Sequence, residues 1–169
     1  MTVVDLIGSV VPRVRLPSTQ GGDIDLSALP GPYVLVIYPY TGKPGVPDPE
    51  GWDDIPGAHG STPQLKGYGL LHPQFKNLGV GIWGLSLNAP HWQAEFASRA
   101  GLPFALLSDE RRALTAALQL ITFPAGDRSF LRRRTLFIEG GRIVHDRRDI
   151  PSPADDAEQS LAWLQARAS

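Results

Sequence analysis

Short continuous apolar runs alternate along this chain with longer stretches in which apolar residues recur every third or fourth position. The clearest run is Tyr33-Val34-Leu35-Val36-Ile37-Tyr38, bounded by Pro32 and Pro39. An unbroken apolar, β-branched segment of this length is what a strand covered on both faces requires. Val80-Gly81-Ile82-Trp83-Gly84-Leu85-Ser86 predicts a second buried strand, and Phe104-Ala105-Leu106-Leu107 a short third one. Residues 91–100 place Trp92, Phe96 and Ala100 on one helical face, with Gly101 as the C-terminal stop. Ser108-Asp109 predicts the cap of a helix reaching Leu118. Residues 135–138 and 142–144 flank Glu139-Gly140-Gly141, a hairpin signal. Residues 155–168 close the chain as an amphipathic helix carrying Leu161, Trp163 and Leu164. Near the start, residues 11–16 predict a short extended segment leading to a turn at Gly21-Gly22.

The pattern breaks at residues 39–63, where prolines and glycines crowd together: Pro39, Gly42, Pro44, Gly45, Pro47, Pro49, Gly51, Pro56, Gly57, Gly60 and Pro63. Proline removes donors and glycine restricts nothing, so regular structure is excluded here. Trp52 and Ile55 offer apolar anchors, which predicts a folded loop rather than a disordered one. Ser61-Thr62-Pro63-Gln64 then fits a capping box, with Ser61 as the cap and Pro63 in the first turn. Gly67, Gly69 and Pro73 weaken the continuation and predict a short or kinked helix up to about Phe75. The succession of strands and helices, ending in a hairpin and a helix, predicts one α/β domain over residues 1–169. It has a central mixed, mostly parallel sheet with helices on both faces and an insertion at about 42–60.

Composition narrows the function. Sixteen basic against seventeen acidic residues leave a net charge of −1, so no overall field recruits nucleic acid or an anionic membrane. No segment approaches the roughly 18 apolar residues of a membrane span. Met1-Thr2-Val3-Val4-Asp5 lacks the basic start of a secretion signal, so a cytoplasmic location is expected. Cysteine is absent, which excludes disulfides, a thiolate zinc site and any cysteine nucleophile. The four histidines, at 59, 72, 91 and 145, have no ligand-like spacing, and no metal is expected. The acidic residues Asp48, Glu50, Asp53 and Asp54 read as a solvated loop. No glycine-rich phosphate fingerprint follows a strand, so no cofactor is expected. Arg132-Arg133-Arg134 reads as a strand edge, where alternation puts Arg132 and Arg134 on one face and Arg133 on the other.

Three segments carry a family resemblance: Tyr38-Pro39-Tyr40-Thr41-Gly42-Lys43-Pro44-Gly45, Gly57-Ala58-His59-Gly60-Ser61-Thr62-Pro63-Gln64 and Arg133-Arg134-Thr135-Leu136-Phe137-Ile138. In order and over nearly the whole length, the chain resembles the peroxiredoxins, thiol peroxidases with a thioredoxin-like fold. Within them it is most similar to the bacterioferritin-comigratory or Q-type branch. The resemblance implies reduction of hydrogen peroxide or organic hydroperoxides, with an external thiol, thioredoxin-like or of low molecular weight, as reductant. It implies a monomer or homodimer. It matches Ser61 to the peroxidatic cysteine, Arg133 to the site arginine, and the Thr62 amide to a donor for the anion. Pro39 and Thr41 correspond to the proline and threonine that precede the nucleophile, here set apart by the insertion. Lys66 stands where a resolving cysteine often lies.

The departure at residue 61 is chemical. Peroxide reduction needs a thiolate that passes through sulfenic acid, and a hydroxyl is too weak an acid and has no such cycle. The chain as written is therefore expected to reduce no peroxide. Two origins would account for Ser61: a cysteine-to-serine replacement, or natural loss of the nucleophile with the fold retained. The alternative function is a non-catalytic thioredoxin-fold module that binds a partner through the insertion, with Tyr40, Trp52 and Ile55 as contacts.

Overall fold

The computed structural model describes residues 3–168. Two short strands, β1 (Arg15–Pro17) and β2 (Asp23–Asp25), form an antiparallel hairpin that opens the fold. A βαβαβ succession follows: β3 (Tyr33–Ile37), α1 (Ser61–Asn77), β4 (Gly81–Ser86), α2 (Pro90–Ala100) and β5 (Ala105–Ser108). After α3 (Ala113–Leu118) come β6 (Thr122–Ala125) and β7 (Arg128–Leu131), then β8 (Arg134–Glu139), β9 (Arg142–Arg147) and α4 (Asp156–Ala168).

The five-stranded sheet has the order β5-β4-β3-β8-β9. Strands β3, β4 and β5 run parallel, while β8 pairs antiparallel with both β3 and β9. Four of the five strands thus share a direction, but the pairings divide evenly between parallel and antiparallel. The sheet is mixed with one strand opposed, as the sequence predicts; β8 of the late hairpin is that strand, and it lies beside β3 with β9 at the edge.

Alternation along β3 builds two cores. Leu35 and Ile37 face a cluster with Leu85, Leu107, Leu136 and Ile138, closed by Leu114 and Leu118 of α3 and by Leu6, Val11 and Leu16 near the N-terminus. Val34 and Val36 face Ile82, Leu106 and Phe137, beneath Leu65, Tyr68 and Phe75 of α1, Phe96 of α2 and Leu161 of α4. Each such side chain contributes about 1.5–3 kcal/mol on leaving water. Three helices therefore cover one face, and a single-helix layer with the N-terminal segment covers the other.

Two local features depart from the sequence reading. Helix α1 runs through Asn77, past Gly67, Gly69 and Pro73, because it buries Leu65, Tyr68 and Phe75 and sets Gly67 against Ala157 of α4. Packing outweighs propensity here. The β6–β7 hairpin has no counterpart in the sequence reading. Gly101 does end α2 in the left-handed conformation, with φ 62°. Among the described residues no helix is long and apolar enough to cross a membrane.

Candidate active site

Strand β3 ends at Ile37, and the chain then enters the proline-glycine segment. Pro39 and Tyr40 are buried, and a single 3-10 turn at Trp52–Asp54 tucks the Trp52 ring inward, leaving it 4% exposed. Trp52 meets Phe130 of β7 edge-on at 4.9 Å between centroids and Tyr40 at 5.4 Å, and Tyr40 meets Phe130 at 5.5 Å. Such pairs add about 0.5–1.5 kcal/mol each beyond area burial. The segment is folded, as the sequence predicts, and forms a cap seated on the unanticipated β6–β7 hairpin. Tyr40 and Trp52 are consumed as its anchors and offer no surface to a partner, and Ile55 is half-buried against them. The set of partner contacts read from the sequence is corrected accordingly.

The cap delivers the chain to α1 through Gly60, whose φ of 113° is left-handed. A Cβ there would lie 2.8 Å from Pro153 Cγ, so glycine answers both the backbone angle and the close approach of the turn that starts α4. Gly60 is also the N-cap of α1, and its carbonyl accepts from the Gln64 amide. Ser61 is the first helical residue and caps nothing. The capping-box reading is corrected: the serine hydroxyl is free of the helix and turns to Arg133.

Arg133, in the connection between β7 and β8, is 6% exposed. Its Nη1 donates to Ser61 Oγ at 3.1 Å and to Gln64 Oε1 at 2.5 Å. Its Nη2 donates to the carbonyls of Gly57, Ala58 and His59 at 3.1–3.4 Å. One guanidinium therefore fixes the incoming loop and addresses residue 61 at once. Burial lowers its pKa to about 10, partly opposed by Asp156, and it remains a cation at neutral pH.

Behind Gln64 stands a residue the sequence reading missed. Asp156, fully buried, accepts from Gln64 Nε2 at 3.1 Å, Tyr68 Oη at 2.6 Å, Thr135 Oγ1 at 2.8 Å and Arg147 Nε at 3.0 Å. Holding the Gln64 amide group this way leaves its Oε1 aimed at Arg133. Burial, followed by the neighbouring carboxylate, pushes the Tyr68 hydroxyl well up, so it stays a donor. An acidic residue opening a helix is ordinary in sequence, and only the fold shows that this one faces inward.

Ser61 lies at the floor of a cleft of about 260 Å³ lined by Tyr40, Asp48, Trp52, His59, Gly60 and Thr62, among others. The first-turn amides of Ser61 and Thr62 have no intrahelical acceptor, and Arg133 adds a charged donor. The arrangement suits an anion centred on side chain 61. Asp48, Asp53 and His59 gather at the mouth with donor atoms within 4.8 Å of one another, and His59 Nε2 lies 2.5 Å from Asp53 Oδ1. All three are exposed, and their ligand atoms are close enough together to share a cation.

The other expected residues make no hydrogen bond to Ser61. Thr41 is 1% exposed with no partner for Oγ1, while its carbonyl accepts from Trp92 Nε1 at 2.7 Å. Neither Thr41 nor Pro39 lines the cleft or bonds Ser61. Lys66 points to solvent. Arg132 is exposed, but Arg134 is buried in a two-bond pair with Asp146, at 2.7 and 2.6 Å. The expected shared face fails because residues 132 and 133 precede β8.

Comparison with known proteins aligns with this geometry. The Redoxin family model matches residues 6–161. The peroxiredoxin Bcp of Escherichia coli strain K12 is 31% identical over 104 residues, 61% of this chain; the match spans 57% of that relative's length. The peroxiredoxin bcp1 of Schizosaccharomyces pombe is 27% identical over 94% of this chain and 73% of its own. Among solved structures, the bacterioferritin comigratory protein of Xanthomonas campestris superposes with a TM-score of 0.76 at 23% identity, covering 98% of this chain and all of that one. A cysteine-to-serine mutant of Xylella fastidiosa PrxQ superposes with a TM-score of 0.77 at 24% identity, covering 96% of this chain and 97% of that one. These structural likenesses concern the fold.

Proposed function

Because the chain belongs to the redoxin family, we propose that it is a thiol-peroxidase scaffold of the Bcp or Q type in which Ser61 holds the place of the attacking cysteine. As it stands it reduces no peroxide. The observation that carries this reading is the 3.1 Å hydrogen bond from Arg133 Nη1 to Ser61 Oγ at the first turn of α1.

With cysteine at position 61, the chemistry follows from the donors around it. The helix terminus and Arg133 both favour an anion, and such settings bring a thiol from about 8.5 down to about 3.5–7.5. The thiolate attacks one peroxide oxygen. The S–O bond forms as the O–O bond breaks, and the departing oxygen takes a proton and leaves as water or alcohol. The sulfur ends as sulfenic acid. Arg133 and the Thr62 amide are the donors for the developing charge. Since Lys66 occupies the resolving position, an external thiol, thioredoxin-like or small, condenses with the sulfenic acid, and a second thiol releases the cysteine. This reading sets the active form in the cytoplasm, where thiols are kept reduced. Serine lacks the acidity and the redox cycle, so every step stops at the first.

Replacing Ser61→Cys is expected to create thiol-dependent peroxide consumption absent from the parent chain. Adding Arg133→Ala should lower the rate about a hundredfold, with Arg133→Lys falling between. A folded Ser61→Cys protein with no turnover contradicts the proposal.

A further inference from the structure

A second cavity, of about 290 Å³, lies on the other side of the arginine run, between the start of β6, the chain after β9 and the N-terminal segment. Leu120, Ile121 and Val3 supply its apolar wall, and Arg132, Arg148 and Asp149 its charged rim. Its volume is at the lower end of the ~300–1,000 Å³ typical of small-molecule sites. The two buried arginines that also border it are committed elsewhere. Arg134 is neutralised by Asp146, and the Arg133 guanidinium is turned to Ser61 and the cap carbonyls. Even so, Arg133 Nε is buried without an acceptor.

Arg132 and Arg148 differ from them. Both are exposed, and among the described residues neither guanidinium has a hydrogen bond or ion pair. Two free guanidinium forks stand against one carboxylate, and the Arg133 cation behind them is held by neutral acceptors alone, so net positive charge borders a wall that is chiefly hydrocarbon. That combination selects a ligand with an anionic head and an apolar body. Inorganic phosphate would leave the wall unfilled, while a neutral hydrocarbon would leave the forks without acceptors. We propose that this cavity binds an amphiphilic organic anion, a carboxylate carried on a short hydrocarbon chain. The site owes nothing to the identity of residue 61.

The test is calorimetric titration of the full chain with octanoate, with 1-octanol and inorganic phosphate as the two half-ligands. Octanoate should bind at least tenfold more tightly than either. Its affinity should fall with rising salt, and by about tenfold or more in the Arg132→Gln/Arg148→Gln protein. Because both arginines are exposed and unpaired, that protein should keep its circular dichroism spectrum. Ile121→Glu, which places a carboxylate in the apolar wall, should abolish binding. Octanol or phosphate binding as tightly as octanoate, an unchanged affinity in the double variant, or no octanoate binding at all overturns the assignment.

Discussion

Five acceptors converge on the Arg133 guanidinium, and one of them, Gln64 Oε1, is itself oriented by Asp156. Asp156 thus acts on residue 61 through two intermediaries while also satisfying Tyr68, Thr135 and Arg147. Removing it leaves buried donors without an acceptor and a partly buried cation without its partner. Asp156→Ala should cost about 3 kcal/mol or more, read as a fall of roughly 10 °C in Tm. A Tm shift under about 2 °C would show that the carboxylate is not the hub described here. Ser61 and Arg133 were legible in the sequence because their neighbours form an ordered set of segments. Asp156 was not, since nothing local distinguishes a buried carboxylate at a helix start from a solvated one. Gln64 was read as a capping partner, the role its spacing suggests, until the position of Arg133 gave it another.

Among the elements, the decisive junction is the meeting of α1 and α4 at Gly60 and Pro153. A left-handed residue costs about 1–2 kcal/mol for any side chain, and here the added Cβ also meets the Pro153 ring. Gly60→Ala should therefore lower Tm by about 4 °C or more, and Pro153→Ala in the same chain should recover the steric part of the loss. Equal Tm values for the parent and Gly60→Ala would refute the close approach. Strands β3 and β4 were readable because burial on both faces leaves an uninterrupted apolar run. The β6–β7 hairpin was not: its strands are four residues each, one contains Pro124, and their order comes from Phe123 and Phe130 packing on Trp52 far back in the chain. The full length of α1 escaped for a related reason, since contacts with α4 and the sheet override two glycines and a proline.

Across the whole molecule, the two sheet faces and the aromatic cap form three apolar clusters, and Arg133 ties the end of the cap to the first turn of α1. The cap encloses one cleft over Ser61, and the far side of the arginine run borders the other cavity. The α/β class could be anticipated from chain order, and the convergence of positions 61 and 133 from the family resemblance. The insertion of β8 beside β3, which brings position 133 to the tip of α1, could not, because strand order depends on pairings between distant segments.

The surroundings of residue 61 are built for an anion, whatever atom the chain places there. The most direct measurement is the pH titration of thiolate ultraviolet absorbance in the Ser61→Cys protein, with and without Arg133→Ala. A midpoint below about 7.5 that rises when the guanidinium is removed is the predicted result. A midpoint near about 8.5, the value of a free cysteine, and indifferent to Arg133 would contradict it.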